Sequence, residues 1–347
     1  FLQNEALGDA VNRKAVDKVF TYATPHNGIE VKGIGNLPGF FTRNNADNFN
    51  RDRMRAFLDL PDDAHANDLN GKFPRERFFS LVGTNAKDYT VAKGWSSRLV
   101  GASSDGLVRV ENAAAKGTPR SFVHRSHSGH YGIVNSEEGY QNLTRFLFGD
   151  VHVRGELKIH DLRLPSRVEK ARLEGKEVKA SYHIETVVRP RGARYDLHRR
   201  LTSENSAIFR NYDQLLANQH PILFSTYLKK KSRSRPGKGS LVFAMDLSIM
   251  VPEYQVEKAW ARDLHIEGSY LYRETIIFGA YPPDEEGGQW ELRYGFNATA
   301  SNPTPRKAEL ADGYPTADGQ LCYRIPIKAG GRPGLDAVLE IKTKPWS

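Results

Sequence analysis

Sulfur is scarce in this sequence, which holds a single cysteine, Cys322, and three methionines. One cysteine excludes an internal disulfide framework and any zinc site built on cysteines. No apolar run reaches the ~18 residues that a membrane-crossing helix requires, so a transmembrane chain is not expected. An initiator methionine is missing, and nothing resembles a signal peptide with its charged start, apolar centre and small-residue cleavage site. Internal repeats and long low-complexity segments are also missing, and the pentapeptide Gly-x-Ser-x-Gly occurs nowhere in the chain.

What is present describes a folding chain. Hydrophobic residues make up 39% and aromatics 10% of 347 residues, ample for a core and long enough for two domains. The net charge of +9 divides unevenly, +2 in residues 1–150 and +7 in 151–347. That excess permits an anionic partner such as a membrane surface, met through the 151–347 domain. Nucleic acid is not expected as a partner, because the aromatics alternate into a core instead of interleaving with a basic stripe. The compartment stays open, since few cysteines suit a cytoplasmic and an exported bacterial protein equally.

Residues 1–150 read as mixed α/β. Phe1–Leu7 look like the middle of a helix that runs to about Asn12, which suggests a fragment or processed piece of a longer chain. A β-rich run, Val16 to Thr21, leads into Ala23-Thr24-Pro25-His26-Asn27-Gly28. Residues 29–75 are polar, with one helical stretch around Arg51–Leu60, and suit either a lid over an acyl pocket or an ordinary surface excursion. Arg77–Gly83 is a short apolar run without alternation, the pattern of a parallel strand covered on both faces. Glu137–Phe148 has helical spacing, and Ser136 with Glu137 and Glu138 marks its start.

From Val151 the period changes to two. Val178, Ala180, Tyr182 and Ile184 form one such series, and Leu241, Phe243, Met245, Leu247 and Ile249 another. Trp290, Leu292, Tyr294 and Phe296 form a third. About eight such strands between Gly/Pro/Asp turns predict an antiparallel β-sandwich over residues 151–347. The basic run Lys229-Lys230-Lys231-Ser232-Arg233-Ser234-Arg235 reads most simply as a solvated hairpin loop, with a lipid-headgroup or other anion contact as the alternative.

The chemistry concentrates between Ser103 and Leu147. Ser103-Ser104-Asp105-Gly106-Leu107-Val108 puts an acid on a tight turn, and His124, His127 and His130 follow in one loop before the last helix. An acid followed by a histidine suits nucleophilic catalysis: the carboxylate orients the imidazole, which takes a proton from a serine. Duller readings apply as well, a turn start for Asp105 and a backbone-bonded histidine for His130. The three histidines also invite a metal reading, but Ser128-Gly129 oppose the helix that would aim them together, so no metal is expected.

These segments resemble the carboxyl-terminal half of an α/β-hydrolase of the lipase and esterase type. Thr24-Pro25-His26-Asn27-Gly28 is similar to the Thr-Pro-His-x-Gly loop after the sixth core strand of many lipases. Phe79–Thr84 followed by Ser104-Asp105-Gly106-Leu107-Val108 resembles the seventh strand and its catalytic-acid turn. His130-Tyr131-Gly132-Ile133-Val134-Asn135-Ser136 resembles the catalytic histidine and the helix behind it. The resemblance covers residues 1–150 and implies Asp105 as triad acid and His130 as base, with His124 and His127 as competitors for the base. It implies Thr24, Pro25 and His26 as an active-site loop, His26 in a structural role, a lipid or ester substrate (a bacterial phospholipase would fit), and no cofactor. The chain departs from the family in lacking the serine elbow and oxyanion-hole segments, which the resemblance puts upstream of Phe1. The competing expectation is a catalytically incomplete hydrolase fragment whose β-sandwich binds a membrane surface or a partner protein.

Overall fold

The structure, a computed structural model, describes residues 2–3, 8–28, 51–61, 64–85, 110, 112–127, 129–130, 132–217, 220–232, 239–257, 264–281, 290–297 and 309–347. The chain is mostly β-sheet, with several antiparallel sheets. It divides into two compact units, residues 1–148 with 203–206, and residues 149–202 with 207–347.

The first unit is built on a three-stranded parallel sheet of β1 (Val19–Tyr22), β2 (Phe78–Gly83) and β3 (Arg120–Val123), with β2 in the centre. All six residues of β2 are buried, as expected for a parallel strand covered on both faces. On one face Phe79 stacks on Phe20 of β1, with centroids 5.2 Å apart, and meets Phe146 at 5.4 Å. On the other, Phe78 packs with Leu69, Phe73 and Ala115, and Val82 with Ala113 and Ala114.

Short helices α1 (Ala10–Lys14) and α2 (Arg51–Phe57) precede β2. α1 begins later than the sequence suggests. Asp9 caps it, its carboxylate accepting the N–H of Asn12 at 2.7 Å, and residues 2, 3 and 8 are not helical. A short polar side chain that can bond the helix's free N–H groups starts the helix there and overrides the apolar spacing before it. Likewise β1 starts at Val19, three residues after the start of the β-rich run.

Helix α3 (Glu137–Phe148) supplies Phe146 to the cluster. Ser136 opens it: its hydroxyl accepts the N–H of Gly139 at 3.0 Å and donates to the carbonyl of Ile133 at 2.7 Å. At its other end Lys18 donates to the Leu147 carbonyl at 3.1 Å, where a cation meets the negative end of the helix.

The second unit contains two antiparallel sheets around a shared apolar core. One comprises β5 (Val178–Pro190), β6 (His198–Arg200), β7 (Ile208–Asn211), β9 (Leu241–Val256), β10 (Leu264–Tyr281), β11 (Glu291–Phe296) and β12 (Glu309–Leu310). The other comprises β4 (Val151–Arg163), β8 (Ile222–Leu228), β13 (Asp312–Pro315), β14 (Leu321–Ala329) and β15 (Gly334–Pro345). Two helices, α4 (Ser166–Leu173) and α5 (Tyr212–Leu216), join them. Alternation sets the faces: Ala180, Tyr182 and Ile184 of β5 are buried while Lys179 and Ser181 are exposed.

Two expectations are corrected here. Among the described residues twelve strands stand where about eight were expected, because short strands such as β6 and β12 carry too few residues to show a period. The basic run is not a hairpin: it leaves β8 in one sheet and leads to β9 in the other, so it is a connection between sheets. Its described part forms a short 3-10 turn, Lys230–Ser232.

Gly139 is the position where α3 tolerates no side chain. A Cβ there would lie 2.2 Å from the Ile133 carbonyl oxygen and 3.2 Å from the Tyr22 ring. Gly139→Ala should therefore cost about 1–3 kcal/mol, the usual range for overpacking. Urea unfolding measures this, and an unchanged midpoint would show that the helix can shift to make room.

Candidate functional site

The three parallel strands end together. Tyr22 pairs with Leu81 and Gly83 with Val123, so segments 23–28, 84–85 and 124–136 all leave the same carboxyl edge of the sheet. Backbone bonds lace them to that edge. The N–H of Ala23 donates to Leu81 at 2.8 Å, Thr84 to Val123 at 3.1 Å and Asn85 to Arg125 at 3.1 Å. Ala23 pays a conformational cost: it sits at φ +46°, a left-handed backbone disfavoured by about 1–2 kcal/mol for a residue with a Cβ. The chain thereby turns sharply out of β1.

The loop that follows holds Thr24, Pro25 and His26. Pro25 is buried, and Thr24 donates its hydroxyl to the Tyr22 carbonyl at 3.2 Å. His26 Nε2 lies 2.9 Å from Thr21 Oγ1, and its ring stands edge-on to Phe78 with centroids 5.2 Å apart. Burial pulls its imidazole down to about 4, so it is neutral at physiological pH. It therefore acts as a brace for the loop.

Asn112 completes that brace and was not evident from the sequence. Its carbonyl accepts the Asn27 N–H and its side-chain oxygen accepts the Asn27 amide, both at 3.1 Å. One asparagine ahead of three alanines carries no sequence signal for such a double bond, which depends on a partner 85 positions away.

The histidine loop is closed at its neck. Ser126 pairs with Gly132 in an isolated bridge, and the Ile133 N–H donates to the Ser126 carbonyl at 2.9 Å. Ser126 and Ile133 are fully buried. Arg125 forks onto the Glu138 carboxylate at 3.0 and 3.2 Å, tying the neck to the first turn of α3. Within the loop Gly129 adopts φ +96° and its carbonyl accepts the Gly132 N–H at 3.0 Å. His130 lies exposed on this turn and His127 is half-buried. His124 stands at the root, its Nδ1 3.3 Å from Thr84 Oγ1 and 3.5 Å from Glu204 Oε2.

Asp105, with Ser103, Ser104 and Gly106–Val108, lies outside the described residues. In chain order it falls in the connection from β2 to β3, which departs from the same edge. Most of the polar excursion, residues 29–50, also lies outside them. Among the described residues, no three His, Cys, Asp or Glu side chains gather closely enough to hold a metal ion. No described helix is long and apolar enough to cross a membrane.

The second unit contains its own buried histidine, also missed by sequence reading. His152 Nε2 lies 2.7 Å from Ser225 Oγ, and its ring stacks on Tyr227 with centroids 4.8 Å apart. Burial, then the charges of Lys344 and Arg154, pull its imidazole down to about 3. Both partners of this histidine–serine contact are buried, which makes it a packing feature of β4 and β8.

Comparisons against protein-family models, curated proteins and solved structures find no match.

The two depressed histidines predict an acid weakness with a defined sign. Each takes up its proton more readily unfolded, near 6.5, than folded, near 4 for His26 and 3 for His152. Their contribution to stability is therefore full above about 6.5 and falls as pH drops from there toward 4. Urea unfolding at pH 7, 6, 5 and 4.5 should show this loss, and His152→Asn should flatten the slope even while lowering stability overall. A slope unchanged in the variant would contradict the assignment.

Proposed function

We propose that this chain forms part of a serine-dependent acyl-ester hydrolase, a lipase or phospholipase, whose nucleophile is supplied by sequence preceding Phe1. The observation that carries the reading is the shared carboxyl edge of β1, β2 and β3. The Thr24–His26 loop, the connection that contains Asp105 and the His124–His130 loop all depart from it. In open parallel sheets, ligand-binding and reactive groups collect beyond this edge.

In this reading the serine oxygen attacks the ester carbonyl while His130 takes its proton. Asp105 holds the imidazole in the useful tautomer and stabilises its charged form. His130 then returns the proton to the departing alcohol, and water, deprotonated by the same imidazole, releases the acyl group. His130 suits the base role better than His26, which is held neutral against Thr21. It is preferred to His124 and His127 because it directly precedes the Ile133–Ser136 run, the place of the histidine in the hydrolases this segment resembles.

A second reading is a catalytically incomplete hydrolase whose β-unit binds an anionic membrane surface. It is favoured by the +7 of residues 151–347. Fluorophosphonate labelling of the protein expressed with the sequence that precedes Phe1 separates the two. The hydrolase reading expects a labelled serine in that preceding sequence. It further expects ester turnover to fall by about 10⁴-fold or more in His130→Ala and in Asp105→Asn, with far smaller losses in His127→Ala. Turnover within tenfold of wild type in both triad variants would reject it, and the absence of any labelled serine would favour the second reading.

A further inference from the structure

The sheet that contains β5, β9 and β10 has a second face, turned away from the apolar core. Alternation puts Ile184, Leu247 and Ile249 in that core, so His183, Glu185, Asp246, Ser248 and Met250 belong to the other side. Register joins these residues into rows across the strands. In the first row Phe209 of β7 pairs with His183, His183 with Met250, and Met250 with Tyr270 of β10. In the second, Glu185 pairs with Ser248 and Ser248 with Arg273. In the third, Val187 pairs with Asp246 and Asp246 with Thr275.

A polar groove of about 560 Å³ lies over the second and third rows, within the usual size of a ligand site. Val187 and Ser248 are buried at its floor, while Asp246 and Arg273 stand exposed. These opposite charges occupy diagonal positions on neighbouring strands, yet each is held by a different neighbour. Asp246 Oδ1 accepts the Thr275 hydroxyl at 2.5 Å, and the Arg273 guanidinium lies 5.0 Å over the Tyr270 ring. Among the described residues Arg273 forms no ion pair. Beside them the Glu185 carboxylate is fixed by the Ser248 hydroxyl at 2.7 Å and the Thr202 N–H at 2.8 Å. The first row borders this groove with two rings. Phe209 and Tyr270 are 46% and 45% exposed and stand three strand spacings apart, roughly 14 Å.

Carboxylates and guanidinium groups line the groove together, so it has no single sign of charge with which to select an ion. Side by side they suit hydroxyl groups, which donate to a carboxylate and accept from a guanidinium. Exposed rings suit the C–H face of a sugar, an apolar surface edged with hydroxyls. Rings this far apart call for a chain that stays extended. Glucose and N-acetylglucosamine have equatorial hydroxyls that leave both ring faces apolar, and β-linkage keeps their chains straight. We infer that this face binds an unbranched neutral oligosaccharide of β-linked glucose or N-acetylglucosamine, stacked along Phe209 and Tyr270, with its hydroxyls on Asp246 and Arg273. The inference stands apart from the hydrolase reading, because every residue in it belongs to the second unit.

Calorimetric titration of the full chain with cellohexaose and with chitohexaose tests this, with the coiled, α-linked maltohexaose as control. At least one of the first two should saturate a single site, and maltohexaose should bind it about tenfold more weakly. Added salt should leave the affinity within about twofold, because a neutral sugar has no charge to screen. Phe209→Ala and Arg273→Ala should each weaken the β-linked sugar by about tenfold, and both side chains are exposed, so neither change opens the core. The proposal is overturned if neither β-linked sugar saturates, if maltohexaose binds equally well, or if salt abolishes binding. An affinity unchanged in either folded variant overturns it too. Binding to phosphatidylglycerol vesicles that Arg273→Ala abolishes, without binding of either sugar, overturns it in favour of a membrane contact.

Discussion

A parallel strand in the middle of a small sheet can show water neither its edges nor its faces, and β2 imposes that condition on the whole first unit. Its backbone is satisfied by β1 and β3. Its five side chains demand cover on two sides at once. The aromatic cluster of Phe20, Phe79 and Phe146 brings α3 to one face. Leu69, Phe73 and the run Ala113–Ala115 close the other, and the Ala115 N–H reaches Ser80 Oγ at 3.4 Å. Loops that cross the faces of the sheet are thereby committed to packing, which leaves the carboxyl edge for segments that are not.

That division explains why chemistry-bearing residues gather where they do. Segments leaving one edge of a parallel sheet are neighbours without any need for sequence proximity. His26 and His130 stand 104 positions apart in sequence, yet both follow strands that end at the same edge of the sheet. Each segment is then fixed by a different device. A left-handed residue and a double asparagine contact hold the first, and a closed neck with an arginine–carboxylate fork holds the last. Rigid roots under exposed tips are what positioning for catalysis requires.

Much of this was legible in the sequence because the signals are local. The span of α3 is set by Ser136 and by a helical period that ends at Phe148. The strand at Phe78–Gly83 announces itself by an unbroken apolar run, and the second unit by alternation that β5 and β9 follow closely. What stayed hidden depends on partners distant in the chain. Asn112 is polar in an unremarkable context, and the burial of His152 depends on β8, which brings Ser225 and Tyr227 against it. The basic run was misjudged for a related reason. Composition shows that it is a turn but cannot show that its two strands belong to different sheets.

Burial and proton transfer make opposite demands on a histidine, and His26 in the first unit's loops shows the first of them. An imidazole deep enough to brace a loop loses its proton affinity, as His26 does between Thr21 and Phe78. A base must instead stay within reach of substrate and keep an affinity near neutrality. His124 is committed to a threonine and a glutamate at the root of its loop, and His127 is half-buried. His130 stands on the exposed turn beside Gly129. The glycine-permitted turn that lifts it from the neck is therefore as much a part of the candidate site as the imidazole itself.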